Sequence, residues 1–223
     1  MWDKLTEFFV EGGLVMWPLM IASVVAVAVI IERSLALRRN MVIGPKLATA
    51  IEKLRPGDSS TRLAVLAETD STALGTIVRV ALNHIEWPRS ENVEAVQTRA
   101  RSEAVKLEHG LIALEIVVGI SPLLGLLGTI NGLKHLFKGI GQIVAEGETT
   151  GMGIGISYAL NTTFFGLLIA IVALIGWSYF NRKVERMVVE MESMLSDLLS
   201  KLYRNTADDT TVHRANERAH NVQ

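Results

Sequence analysis

Residues 151–181 read GMGIGISYALNTTFFGLLIAIVALIGWSYFN, 31 positions without one Asp, Glu, His, Lys or Arg. A helix rises ~1.5 Å per residue and the hydrocarbon layer of a bilayer is ~30 Å thick, so about 20 such residues cross it. This stretch reads as a membrane span. Working outward, Ile116–Leu133 is a second uncharged run of 18 residues and Gly12–Ile31 a third of 20. The composition agrees, with 49% apolar against 20% charged residues and a mean hydropathy of +0.33, too oily for a soluble chain of this size. The first run does not read as a cleavable signal, because Asp3, Glu7 and Glu11 make its leading segment acidic and its apolar stretch is too long.

The remaining composition excludes several classes of function. Lys and Arg total 22 against 23 Asp and Glu, a formal charge of −1, which disfavours nucleic acid as a partner. With no cysteine, disulfides, thiolate chemistry and Cys-based metal sites are out. His84, His109, His135, His213 and His220 are scattered outside the apolar runs, with no i,i+4 metal-ligand pair and no phosphate-binding loop. Neither an enzyme, nor a bound metal, nor a cofactor is expected.

Orientation follows from the basic residues beside the spans. Arg33, Arg38, Arg39 and Lys46 follow the first, and Arg182, Lys183 and Arg186 the third, whereas the turn between spans two and three holds Glu146 and Glu148 and no Lys or Arg. The expected organisation is an outer N-terminus at 1–11, a span at 12–31, a cytoplasmic helical region at 32–110, a span at 111–140, an outer turn at 141–150, a span at 151–181, a cytoplasmic amphipathic helix at 182–205 and a disordered polar tail at 206–223. Pro45, the Arg55-Pro56-Gly57-Asp58 turn and Trp87-Pro88 punctuate the cytoplasmic region. Val93, Val96, Ala100, Ala104, Leu107 and Leu111 keep a three-or-four spacing that predicts one helix from about 91 to 143. Val184, Met187, Val188, Met191, Leu195, Leu198 and Leu202 continue span three as an amphipathic helix. The fold class is all-α: an integral membrane protein with three transmembrane helices, two of them extended into the cytoplasm.

Polar residues inside the spans need a reason, because an unsatisfied polar group in hydrocarbon is costly. Span two places Ser121, Gly125 and Thr129 at i+4 steps with Gly128 and Gly132 beside them; span three places Gly155, Ala159, Thr163, Gly166, Ala170 and Ala173 in a similar stripe. Spacing alone favours helix packing, with small residues letting backbones approach and threonines bonding their own i−4 carbonyls. A polar-lined ion path is the alternative.

Gly12-Gly13, Met16-Trp17-Pro18-Leu19 and Ile31-Glu32-Arg33, then Ser121-Pro122-Leu123-Leu124-Gly125-Leu126-Leu127-Gly128-Thr129 and Ala159-Leu160-Asn161-Thr162-Thr163-Phe164-Phe165-Gly166-Leu167, resemble the ExbB/TolQ/MotA proton-channel family in order over nearly the whole chain. Three spans make the ExbB branch the nearer likeness. The resemblance implies assembly as a ring, a pentamer, in a bacterial inner membrane with the N-terminus periplasmic. The ring would enclose the single-span helices of two copies of an ExbD/TolR-like partner. An aspartate on that partner would carry the ion, with Thr129 and Thr163 lining the lumen opposite it and Thr162, Asn161, Tyr158 and Ser121 along the path. Gly125, Gly128, Gly132 and Gly166 would serve helix packing. Ion-motive force would become mechanical work on the envelope, passed to a TonB-like transducer. A passive scaffold, a TolQ-like envelope motor and a sodium-driven stator-like unit are the alternatives.

The residues fit that implication. Among the groups of the two runs at 116–133 and 151–181, only Tyr158 and Tyr179 titrate, so the charge carrier is expected from another subunit and the hydroxyls are expected to solvate it. Two departures stand out. Tyr158 occupies a position where the family commonly has a glutamate, and Val172 one where it commonly has a proline. The Thr162-Thr163-Phe164-Phe165-Gly166 segment is similar to stator subunits, so the transported ion is H+ with Na+ as the alternative.

Overall fold

The computed structural model describes residues 15–55, 60–146 and 150–220, with side-chain surroundings for 15–55, 60–137, 156, 157 and 159–204. Among them every regular element is an α-helix: α1 (Met16–Ala36), α2 (Arg39–Val42), α3 (Pro45–Lys53), α4 (Thr61–Thr69), α5 (Ala73–Asn83), α6 (Arg89–Glu108), α7 (Leu111–Glu146) and α8 (Thr150–His220). The helices divide into a unit built from Met1–Leu35 with Gly110–Asn181 and a unit built from Ala36–His109 with Arg182–Gln223. The expected outer segment at 1–11, the Gly12-Gly13 pair and the Pro56-Gly57-Asp58 turn lie outside the described residues, as do 147–149 of the expected outer turn.

The first unit holds the apolar runs. Three helices are long and apolar enough to cross a membrane, over Met16–Ala36, Leu111–Phe137 and a window within Ala159–Arg204. Pro18 falls in the first turn of α1, where the backbone N–H it lacks would have no helical acceptor. Gly176 is where three helices converge: a Cβ there would stand 2.9 Å from Cγ1 of Ile30 on α1 and 3.9 Å from Cδ1 of Leu114 on α7. Only 11% of the apolar window of α1 is buried, against 33% for α7, so α1 offers nearly its whole circumference to an apolar surrounding.

The second unit is a row of short helices packed on the lower part of α8. α3 lies on α4, α4 on α5 and α5 on α6. Local chemistry starts and stops each one. Pro45 opens α3; the Thr72 hydroxyl caps α5 by accepting from the Gly75 N–H at 3.2 Å; Arg79 Nη2 donates to the carbonyls of Ala67 at 3.0 Å and Asp70 at 3.3 Å, closing the C-terminus of α4. On α8, Val184, Met187, Met191, Leu195 and Leu198 of the expected stripe are buried, and Val188 and Leu202 are half-buried.

Polar ties fix this row to α8. Arg39 at the start of α2 pairs with Glu190, whose hydrogen bond and then charge hold the guanidinium pKa above its ordinary value. Lys201 Nζ donates to the Ile51 carbonyl at 3.1 Å, at the end of α3. Fully buried Asn92 donates from Nδ2 to the Ala81 carbonyl and to the Tyr203 hydroxyl, both at 2.9 Å, while that hydroxyl donates in turn to the Trp87 carbonyl at 3.0 Å.

The structure corrects three expectations. The helix expected from 91 to 143 is two helices, α6 and α7, separated at His109-Gly110. Gly110 breaks it readily because glycine has a low helix propensity, and Arg33 crowds the site so that an added Cβ would lie 2.7 Å from Nη2. Of the expected line, Val96 and Ala100 are buried while Val93, Ala104 and Leu107 are half-buried, and Asn92 and Glu103 complete the buried face of α6, Glu103 taking Arg99 at 2.9 Å and Lys106 at 2.8 Å. The backbone of α8 runs to His220, past Thr206 where a disordered tail is expected, and no Gly or Pro between 182 and 220 interrupts it.

Removing the amide of Asn92 strands the Ala81 carbonyl and half of the Tyr203 tie. Asn92→Ala is expected to destabilise the second unit by ~1–3 kcal/mol, read as faster proteolysis or hydrogen exchange at the α5–α6 turn. Gln97→Ala, at an exposed position of the same helix, should leave both unchanged.

Candidate functional site

α7 and α8 approach closely because both carry small residues on the facing side. A Cβ on Gly125 would stand 3.1 Å from the Thr163 Cα and 3.2 Å from the Thr162 carbonyl oxygen; one on Gly166 would stand 2.6 Å from the Ser121 carbonyl oxygen and 3.0 Å from the Gly125 Cα. Gly128 faces the Thr162 side chain, which fills the space a Cβ would need. Gly132 is buried on the same face of α7. In lipid, where no hydrophobic force drives helices together, such backbone contact supplies the packing energy.

The close approach brings two threonines of different helices together. The hydroxyls of Thr129 and Thr163 hydrogen-bond to each other. Thr129 Oγ1 lies 3.3 Å from the carbonyl of Gly125, its own i−4 residue, and 3.2 Å from the carbonyl of Ala159. Thr163 Oγ1 lies 3.3 Å from the carbonyl of Ala159, its own i−4 residue, and 3.1 Å from that of Gly125. Each threonine thus reaches the turn that its counterpart sits on, and four oxygens converge between the helices. Two hydroxyl protons serve five contacts, so at any moment some oxygens offer free lone pairs, and rotation of either hydroxyl redistributes them. Both residues are half-buried: the cluster sits at the edge of the glycine seam, not sealed inside it.

Thr162 and Ser121, two of the other expected path residues, do not join this cluster. Thr162 is fully buried, and its hydroxyl donates to the Ala159 carbonyl at 3.1 Å on the side of α8 that meets Gly128. Ser121 is fully buried one turn before Gly125, and its hydroxyl has no hydrogen-bond partner among the described residues. Asn161 is half-buried on the neighbouring side of α8. The side chain of Tyr158 lies outside the described residues. Among the described residues no group of three or more His, Cys, Asp or Glu could hold a metal ion.

Sequence reading pairs Thr129 and Thr163 only through the resemblance. The local signal that could have paired them is that each follows a small residue by four positions, Gly125 and Ala159, which clears room for the facing threonine to reach that turn's carbonyl. The sequence does not mark buried Asn92 or half-buried Tyr203, because the two meet across 111 positions; for Glu103 the signal is local, with Arg99 and Lys106 at i−4 and i+3.

Gly166→Ala drives a methyl against the Ser121 carbonyl and is expected to cost ~1–3 kcal/mol by overpacking. Gly119→Ala, with nothing within 4 Å of the new Cβ, is expected to be neutral or slightly stabilising. Thermal melting of the detergent-purified protein checks both, and equal melting temperatures for the two variants would refute the seam.

A family model described as the MotA/TolQ/ExbB proton channel family matches residues 69–193, a range that includes the whole α7–α8 seam. The biopolymer transport protein exbB1 of Vibrio cholerae is 29% identical over 198 residues, covering 87% of this chain and 86% of that protein. The putative biopolymer transport protein ExbB-like 1 of Synechocystis is 30% identical over 203 residues, covering 87% and 74%. The Tol-Pal system protein TolQ of Pseudomonas aeruginosa is 31% identical over 117 residues, covering 52% and 50%.

Proposed function

The chain belongs to the MotA/TolQ/ExbB proton channel family, and we propose that it is the channel subunit of a bacterial inner-membrane motor whose ion is carried by an acidic residue on a separate single-span partner. It is a membrane protein of a proton-channel family and not a classical enzyme. The finer reading is a ring, a pentamer, around two copies of an ExbD/TolR-like helix, with ion-motive force turned into mechanical work and passed to a TonB-like transducer. The observation that carries it is the Thr129–Thr163 oxygen cluster, half-buried and beside exposed apolar faces. It can donate to or accept from a carboxyl brought against it, and it lies in runs that lack an acid of their own. Ser121, Thr162, Asn161 and Tyr158 extend the proposed path, and bound cofactors have no part in it.

A passive scaffold is the second reading, favoured by the fact that both hydroxyls already have acceptors within the chain. The two readings part on isosteric removal of one hydroxyl. A lost hydrogen bond to a charged group costs ~1.5–3 kcal/mol, so Thr129→Val and Thr163→Val are each expected to lower partner-dependent ion flux by about 10- to 100-fold. Abundance and assembly should be near normal, and Thr163→Ser should retain flux. Wild-type flux in both valine variants would leave only the scaffold. The proposed ion is H+; a flux that rises with external sodium at fixed pH would instead identify Na+, for which Asn161 and Thr162 would supply further oxygens.

The proposed orientation puts the N-terminus and the 141–150 turn in the periplasm and the α2–α6 region in the cytoplasm, a reading supported by the basic residues after spans one and three. Ser102→Cys, on an exposed position of α6, is expected to react with an impermeant maleimide only after the inner membrane is opened. Labelling in cells whose inner membrane is sealed would reverse the topology.

A further inference from the structure

The ion path leaves two charged surfaces of the cytoplasmic unit unexplained. A groove of about 830 Å³ runs between α3 and α4, floored by Leu54, Leu63 and Leu66 and rimmed by Lys46, Lys53 and Arg62. All three basic residues are exposed, and none forms an ion pair among the described residues. At the other end of the helix row, α6 begins with Glu91 and Glu94 on one face, both exposed and likewise without an ion pair among the described residues. Beside them Trp87 is 46% exposed, its indole held against His84 with ring centroids 4.0 Å apart.

We infer that the α3–α4 groove of one copy seats the Trp87–Glu94 edge of the next copy, so that the cytoplasmic units meet head to tail around the ring. This rests on the ring assembly proposed above and assigns the surfaces that close it. Charge supports the match: three cations surround the groove, and Glu91 and Glu94 flank the aromatic residue that would enter it, beside Arg99, which Glu103 already pairs, and exposed Arg89. A self-pairing contact would set each patch against its own sign.

The placement of the patches supports it independently. α3–α4 and α6 stand at the two ends of the packed row. The tie from Lys201 reaches the Ile51 carbonyl at 3.1 Å, and the tie from Tyr203 reaches the Trp87 carbonyl at 3.0 Å. Two residues along a helix are ~3 Å apart in height and ~200° apart in direction. The side chains that tie the end of α3 and the start of α6 therefore leave α8 within about 3 Å in height and in nearly opposite directions, the Lys201 ammonium also reaching Asp197 one turn back at 2.7 Å. A rotation about an axis parallel to that part of α8 conserves level, so the basic flank of each copy meets the acidic flank of its neighbour, as a closing heterologous interface requires. Trp87 has the character of an interface anchor, a large side chain set centrally among polar groups that exclude water.

The chain has no cysteine, so engineered thiols are unique reporters. In membranes, the full-length double variant Lys53→Cys, Glu94→Cys treated with a short bismaleimide is expected to give a denaturing-gel ladder from dimer up to the full ring. Either single variant should give little beyond monomer, and Lys46→Cys with Glu91→Cys is an independent second pair. Native mass spectrometry of the same proteins reads the ring directly. Rings without a ladder from either pair overturn this docking and leave the channel reading standing, whereas monomers overturn both. Glu91→Lys with Glu94→Lys should lower the ring fraction several-fold, and adding Lys53→Glu with Arg62→Glu should restore it. A ring fraction that does not change, or is lowered and not restored, shows that these charges do not face each other.

Discussion

The contact between Gly125 and Gly166 is the constraint on which the candidate site depends. Their backbones touch, with a Cβ on Gly166 only 3.0 Å from the Gly125 Cα, and this spacing puts the Thr163 hydroxyl within 3.1 Å of the Gly125 carbonyl. Side chains of ordinary size at either position would part α7 from α8 and return each threonine to its own i−4 carbonyl. The packing reading and the ion-path reading of the small-residue stripes are therefore complementary. The glycines bring the helices close enough for two hydroxyls and two carbonyls to form one polar cluster at the edge of an otherwise apolar interface.

The chemistry of that cluster is that of a hydrogen-bonding surface with no charge of its own. Threonine and backbone oxygens can donate or accept, and they can solvate a proton-bearing carboxyl or a partly dehydrated cation, but they cannot carry a proton across ~30 Å of hydrocarbon. The runs at 116–133 and 151–181 that hold the cluster carry no acid of their own, and the chain belongs to a proton-channel family. In the second unit, Lys201 and Tyr203 tie the ends of α3 and α6 to α8, and movement of the lower part of α8 is thereby linked to the whole helix row.

Much of this architecture is legible in the sequence because the bilayer enforces a simple rule. Uncharged runs at 116–133 and 151–181 and the span at the N-terminus correspond to the three apolar helices, and the Val184–Leu198 stripe faces the core of its unit. Where tertiary partners decide, sequence runs out. Asn92 looks like a surface residue of a polar helix, yet it is buried, its Nδ2 donating to the Ala81 carbonyl and the Tyr203 hydroxyl. Gly110 looks like a tolerable helix interruption, yet α6 ends at Glu108 and α7 begins at Leu111, with Arg33 filling the space a side chain at 110 would need. Of the expected path residues, Thr129 and Thr163 meet while Thr162 turns into the seam, because one position along a helix changes direction by ~100°; Ser121 is buried two turns before Thr129.

The central claim is that this chain supplies oxygens and another subunit supplies the charge. It is tested most directly by ion flux into sealed vesicles under an imposed proton or sodium gradient, with the purified chain alone and with a single-span partner bearing a membrane-embedded carboxylate. The account predicts background flux for the chain alone, measurable flux with the partner, and its loss when the partner's acid is made an amide. Flux through the chain alone equal to that of the complex would contradict it.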